Sequence, residues 1–165
     1  MFFAHNSVFS VEDFDRFLAE HGTGNRWTRK SLLAYHIKQG HLLRLRRGLF
    51  ASVPEQVDPD SFQPNPFHVA AKITADATLA YHTALMYHGL ARAESDTFYS
   101  LSRGRTLPFR FRSSEYRCVP IPKKLLAEGQ EGLGIQQFEL AEEGYFSDMV
   151  IRYTGLERTL VDVLD

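Results

Sequence analysis

Residues 10–53 read SVEDFDRFLAEHGTGNRWTRKSLLAYHIKQGHLLRLRRGLFASV, and the fold of the chain turns on how this stretch divides. Ser10 is suited to cap a helix over 11–21, with Glu12 and Asp13 in a first turn that favours anions and Gly22 as its stop. Val11, Phe14, Phe17 and Leu18 share one face of that helix. After the turn GTGNRW, Thr28 is a candidate cap for a second helix over 29–39 that ends at Gly40. At 100° per residue, Leu32, Leu33, His36 and Ile37 form its inner face, and Ser31, Ala34, Tyr35 and Lys38 its outer one. Leu43 and Leu45 then alternate with Arg44 and Arg46. Arg47-Gly48 suits a tight turn, and LFASV returns as the second strand of a basic hairpin.

Working outward, residues 54–66 (PEQVDPDSFQPNP) carry four of the seven prolines and no periodicity, which predicts a linker. Asn65 and Pro66 predict a helix start running to about Thr74, and Thr78 predicts another helix ending at Gly89. Strand-like runs follow at 98–102, 109–113, 116–122, 135–140 and 149–154. Thr154 and Glu157 have capping-box spacing ahead of a last helix with the stripe Leu156, Leu160, Val163 and Leu164. That helix lacks a stop signal, and Asp165 sits where the dipole disfavours an anion, so it reads as a truncated edge. The expected class is α+β. It comprises a winged helix-turn-helix over 1–53, a linker over 54–66 and a small mixed domain over 67–165.

The 165 residues are 44% hydrophobic, enough for real cores, and no apolar run approaches a membrane span or a secretory leader. The expected location is therefore cytoplasmic. Cys118 alone excludes an intramolecular disulfide and a cysteine-rich zinc site. A net charge of −1 hides opposite segments. Residues 1–53 hold eight cations against four acids (+4), 54–102 come to −4, 103–124 to +6 and 125–165 to −7. Basic character in the helix pair and hairpin points to duplex DNA, with the second helix in the major groove and the hairpin on the backbone. The alternative is a solvated face and a charge-protected strand edge. Within the second island, Arg103, Arg105, Arg110 and Arg112 are candidates for docking an acidic protein or an RNA, against an ordinary solvated face. There is no nucleophile elbow, P-loop, H-E-x-x-H or dinucleotide fingerprint. His82 and His88 lie about 120° apart on a helix and cannot share a metal from one face. Neither an enzyme nor a cofactor is expected.

Three runs, TRKSLLAYHIKQGHLLRLRRGLFAS, ADATLAYHTALMYHGLA and VIRYTGLERTLVDVL, occur in an order that resembles the AbiEi antitoxin family of abortive-infection transcriptional regulators. The resemblance spans about Ser10 to the end. It implies a repressor of its own operon whose second domain counters a nucleotidyltransferase-type toxin. By position it gives the recognition-helix and wing roles to Thr28, Arg29, Lys30, Ser31, Tyr35, Lys38, Arg44, Arg46 and Arg47. Glu157, Arg158, Thr159 and Asp162 match its ERT-x-x-D pattern, read as a capped helix with an ion pair. A competing expectation makes the chain the front of a DNA-binding nuclease whose catalytic domain lies beyond residue 165.

Overall fold

The computed structural model describes residues 2–92, 95–129, 132–139 and 149–164, and it is a mixed α+β protein. Leu140 of the expected fourth strand, and Asp165, lie outside those residues. The chain divides into two compact units, residues 1–64 with 140–149 and residues 65–139 with 150–165.

The first unit runs α1 (Phe2–His5), β1 (Val8–Ser10), α2 (Val11–Glu20), α3 (Arg26–Lys38), β2 (Leu42–Arg46) and β3 (Leu49–Ser52). Its antiparallel sheet has the order β1-β3-β2. The Ser10 cap forms as expected: its hydroxyl accepts the Asp13 N–H at 3.1 Å, while Asp13 Oδ2 accepts the Ser10 N–H at 3.0 Å. Phe9, Phe14, Leu18, Leu33, Leu42 and Phe50 form the core, and Phe2 and Phe3 of α1 close over it. Neither α1 nor β1 is legible beforehand, because four and three residues are too few to show a period.

Two expectations about this unit change. The helix α3 begins three residues early. Asn25, in extended backbone, accepts the Thr28 N–H on its side-chain oxygen at 2.8 Å, so Asn25 rather than Thr28 is the cap. Arg29 and Lys30 therefore leave the first turn, and Arg26 is the cation that enters it. In the hairpin the pairing slips between Arg44 and Arg46, a bulge that shifts the inward parity by one. Leu42 and Leu45 are consequently the buried pair, in place of Leu43 and Leu45. Gly48 closes the turn at φ +80°, backbone that a side chain would strain.

The stretch expected as a linker packs on this unit through residue 64. Val57 donates its N–H to the Pro54 carbonyl and Phe62 to that of Asp58, building successive turns. Pro59 lies against Gly40 so closely that a Cβ there would meet its ring at 2.7 Å. Prolines here stiffen a packed segment.

The second unit holds a six-stranded sheet of order β6-β7-β5-β4-β9-β8, from β4 (Thr78–Leu79), β5 (Thr97–Ser102), β6 (Phe109–Phe111), β7 (Ser114–Pro120), β8 (Ile135–Glu139) and β9 (Val150–Thr154). The β5–β7 and β4–β9 pairs are parallel and the rest antiparallel. Its helices are α4 (Pro66–Ala71), α5 (Tyr81–Tyr87), α6 (Lys123–Ala127) and α7 (Leu156–Leu164). Asn65 caps α4 as expected, accepting the Phe67 N–H at 3.0 Å. Thr78 does not start a helix. It and Leu79 are buried between β5 and β9 as a central strand, where β-branched and apolar side chains are well accommodated. Helix α5 begins only at Tyr81 and is tied down by the buried Thr83, whose hydroxyl accepts the Tyr99 N–H at 2.7 Å.

The apolar stripe of the final helix faces outward. Leu156, Leu160, Val163 and Leu164 are at least 38% exposed, while Thr159 is buried. Thr154 closes β9 and does not form the capping box; its hydroxyl meets that of Thr159 at 2.7 Å, and Thr159 also bonds the Gly155 carbonyl at 2.8 Å. Arg158 and Asp162 pair at 3.4 Å, with side chains 8% and 16% exposed. Arg158, Thr159 and Asp162 of the ERT-x-x-D pattern thus form an inward polar seam, while Glu157 is exposed. Among the described residues no helix is long and apolar enough to cross a membrane.

Candidate nucleic-acid interface

The helix α3 is held by its inner side. Leu33 enters the aromatic core, Leu32 packs on it, and Arg29 pairs with Asp15 of α2. Arg29 is therefore a clamp between two helices, with a side chain 21% exposed. Thr28 is half-buried, and its N–H is taken by the Asn25 cap. The solvent face consists of Arg26, Trp27, Lys30, Ser31, Ala34, Tyr35 and Lys38, all exposed, and Ile37, expected on the inner face, is 38% exposed as well. Of the residues expected to serve as a recognition helix, Lys30, Ser31, Tyr35 and Lys38 share this face; Arg29 and Thr28 do not.

With Thr28 read as the cap, Trp27 and Arg26 fall outside the helix, and nothing in that reading marks them. With the earlier start, Trp27 falls on the same face as Lys30, Ser31, Ala34 and Lys38. The ring is 80% exposed, and the Lys30 ammonium lies 6.0 Å from its centroid. The signal that would have found it is Asn25, as good a cap as Thr28.

Arg44 and Arg46 lie on β2, the edge of its sheet, and Arg47 lies in the turn that follows it. Arg44 and Arg47 are exposed and Arg46 is half-buried. The tip is anchored, since the Gly48 carbonyl accepts the Val11 N–H at 2.9 Å. The hairpin is thus a short, fixed ribbon. Five cations of α3 and the hairpin are exposed: Arg26, Lys30, Lys38, Arg44 and Arg47.

Beside this face, His36 and His41 approach with their Nδ1 atoms 3.3 Å apart, and the His36 ring abuts Phe3. Burial, then the neighbouring His41, lowers the His36 pKa below the usual histidine value. Both line a concavity of about 610 Å³ with Tyr35, Gln39 and Glu55.

The second basic island is split by topology. Arg103 follows the end of β5, level with Pro120, and Arg112 lies beyond the Phe111–Ser114 pair at the other end of β7. Six residues of strand separate those levels, about 20 Å. Arg103 is placed by Asp76, whose carboxylate accepts its N–H at 2.8 Å together with the Ser102 and Thr74 hydroxyls at 2.6 and 3.0 Å. Burial raises the Asp76 pKa, but those three donors together with its own backbone N–H outweigh it and hold the carboxyl below its ordinary range. Arg105 is exposed in the following loop. Arg110 is exposed on β6, opposite Glu115, and the Arg112 guanidinium lies 5.3 Å from the Phe111 ring. Phe109 stacks on the buried Tyr116 at 5.0 Å, so this aromatic serves the core. The four arginines do not make one surface.

Among the described residues no group of three or more His, Cys, Asp or Glu is placed to hold a metal ion. No family model matches the chain. No curated protein matches it either.

Proposed function

We propose that the first unit binds duplex DNA as a winged helix-turn-helix and that the chain is a transcriptional regulator. The observation that carries the reading is the solvent face of α3, where Arg26, Lys30 and Lys38 flank Ser31, Tyr35 and Trp27 on a helix locked from behind by Leu33 and the Arg29–Asp15 pair. A rigid helix that presents cations and base-reading side chains together is what major-groove recognition needs. The element order helix, strand, helix, helix, hairpin supports it, with Arg44 and Arg47 on the ribbon for phosphates. The resemblance to AbiEi regulators extends the proposal to an antitoxin that represses its own operon in the cytoplasm and counters a nucleotidyltransferase-type toxin through the second unit.

Footprinting of the full chain on the DNA upstream of its own reading frame tests the regulator role. A protected site lost in Lys30→Ala and Lys38→Ala supports it, and no protection at low salt refutes it. Growth rescue on co-expression with the adjacent toxin gene tests the antitoxin role separately.

A further inference from the structure

Trp27 is the chain's one tryptophan, and its side chain has no structural task that burial would reveal. Indole rings are mostly buried in folded proteins, because an exposed one forgoes a large apolar stabilisation. Here the ring is 80% exposed, on the second residue of a 13-residue helix clamped by Arg29–Asp15. The five exposed cations of the helix and the hairpin supply the charge complement of a polyanion. In helix-turn-helix proteins the N-terminal residues of the second helix are the ones that reach base edges.

We infer that Trp27 reads a thymine in the major groove. The inference rests on the DNA-binding proposal above and names the specificity residue within it. An indole offers one N–H donor beside an apolar face and no acceptor. Thymine presents the complement, an O4 acceptor beside a C5-methyl; adenine and guanine carry no methyl, and cytosine presents a donor that would oppose the indole N–H. A 5-methylcytosine matches the methyl but keeps the opposing donor, so the chemistry favours thymine over it. The Lys30 ammonium, 6.0 Å from the ring centroid, steadies the indole from the same face of the helix.

The test uses the full chain and a duplex that it selects from a randomised 20-base-pair pool. That duplex is resynthesised with uracil in place of thymine, or with 5-methylcytosine in place of cytosine. Wild type should lose about 4-fold in affinity on the uracil duplex for each methyl that the ring covers. Trp27→Ala should bind the thymine duplex more weakly and show no thymine preference. Its melting temperature should match wild type, since so exposed a side chain supports little of the fold. Being the single tryptophan, Trp27 should change its emission when DNA saturates the protein. A thymine preference retained in Trp27→Ala, or emission unchanged at saturation, overturns the inference while DNA binding stands. A Trp27-dependent gain on 5-methylcytosine overturns the choice of thymine. Failure of wild type to select any duplex refutes the DNA-binding proposal itself.

Discussion

Arg29 and Arg47 are both arginines of the basic N-terminal stretch, yet the structure gives them different surroundings, which predict different salt dependences of DNA affinity when each is removed. Five exposed cations on α3 and the hairpin, each neutralising one phosphate, predict a slope of log K against log salt near −4.5, from about −0.9 per phosphate on duplex DNA. Between 50 and 200 mM salt, affinity should then fall about 500-fold. Arg47→Ala removes one contact, so the slope should flatten by about 0.9 and the fall shrink to about 150-fold. Arg29→Ala removes no exposed cation. It releases Asp15 and loosens the α2–α3 clamp, so the loss should register as lower thermal stability and weaker binding at every salt concentration with the slope intact. The pair is partly exposed, with side chains 21% and 45% accessible, so the stability cost should stay below about 1 kcal/mol. Fluorescence anisotropy with a labelled duplex at four or five potassium chloride concentrations reads both slopes, and a thermal melt reads the clamp. An Arg29→Ala slope as flat as that of Arg47→Ala, or an Arg47→Ala slope equal to wild type, would refute the division of roles.

Further outcomes follow from particular contacts. Asn25→Ala should cost about 1 kcal/mol by urea denaturation, whereas removing the Thr28 hydroxyl should cost much less, because Asn25 alone caps α3. His36 has its pKa lowered in the fold, so the unfolded chain takes up its proton first. Its contribution is full above the ordinary histidine pKa of 6.5 and is lost as pH falls from there through the lowered folded value. Denaturation midpoints measured from pH 7.5 to 5 should decline less in His36→Phe than in wild type, and equal declines would remove the histidine pair from the explanation. In α7, Leu160→Asn should stay within about 0.5 kcal/mol of wild type, while Thr159→Val should cost about 1–3 kcal/mol by stripping a buried donor from the Thr154 and Gly155 carbonyls. The reverse ranking would mean that the apolar stripe, rather than the polar seam, faces inward.

Local signals with a single physical solution were legible in the chain by itself. Ser10 with Asp13, and Asn65 ahead of Pro66, satisfy helix ends by reaching no more than three residues, and both caps form. The α+β class and the basic hairpin are equally local, since they rest on periodicity and on Arg47-Gly48 as a turn. Wherever two local solutions compete, tertiary structure decides. Asn25 and Thr28 are comparable caps, and the choice of Asn25 moves Arg29 onto Asp15 and brings Trp27 onto the solvent face. Thr78 is as plausible in a helix cap as in a strand until β5 and β9 arrive on either side of it. The arginines of residues 103–112 are neighbours in sequence, but the parallel pairing of β5 with β7 sends Arg103 and Arg112 to opposite ends of one strand. The apolar stripe of α7 obeys helical periodicity and still faces outward, because the inner position is taken by hydrogen-bonded Thr159 and the Arg158–Asp162 pair. Periodicity says which residues share a face; only the partners that pack against a helix determine which face is buried.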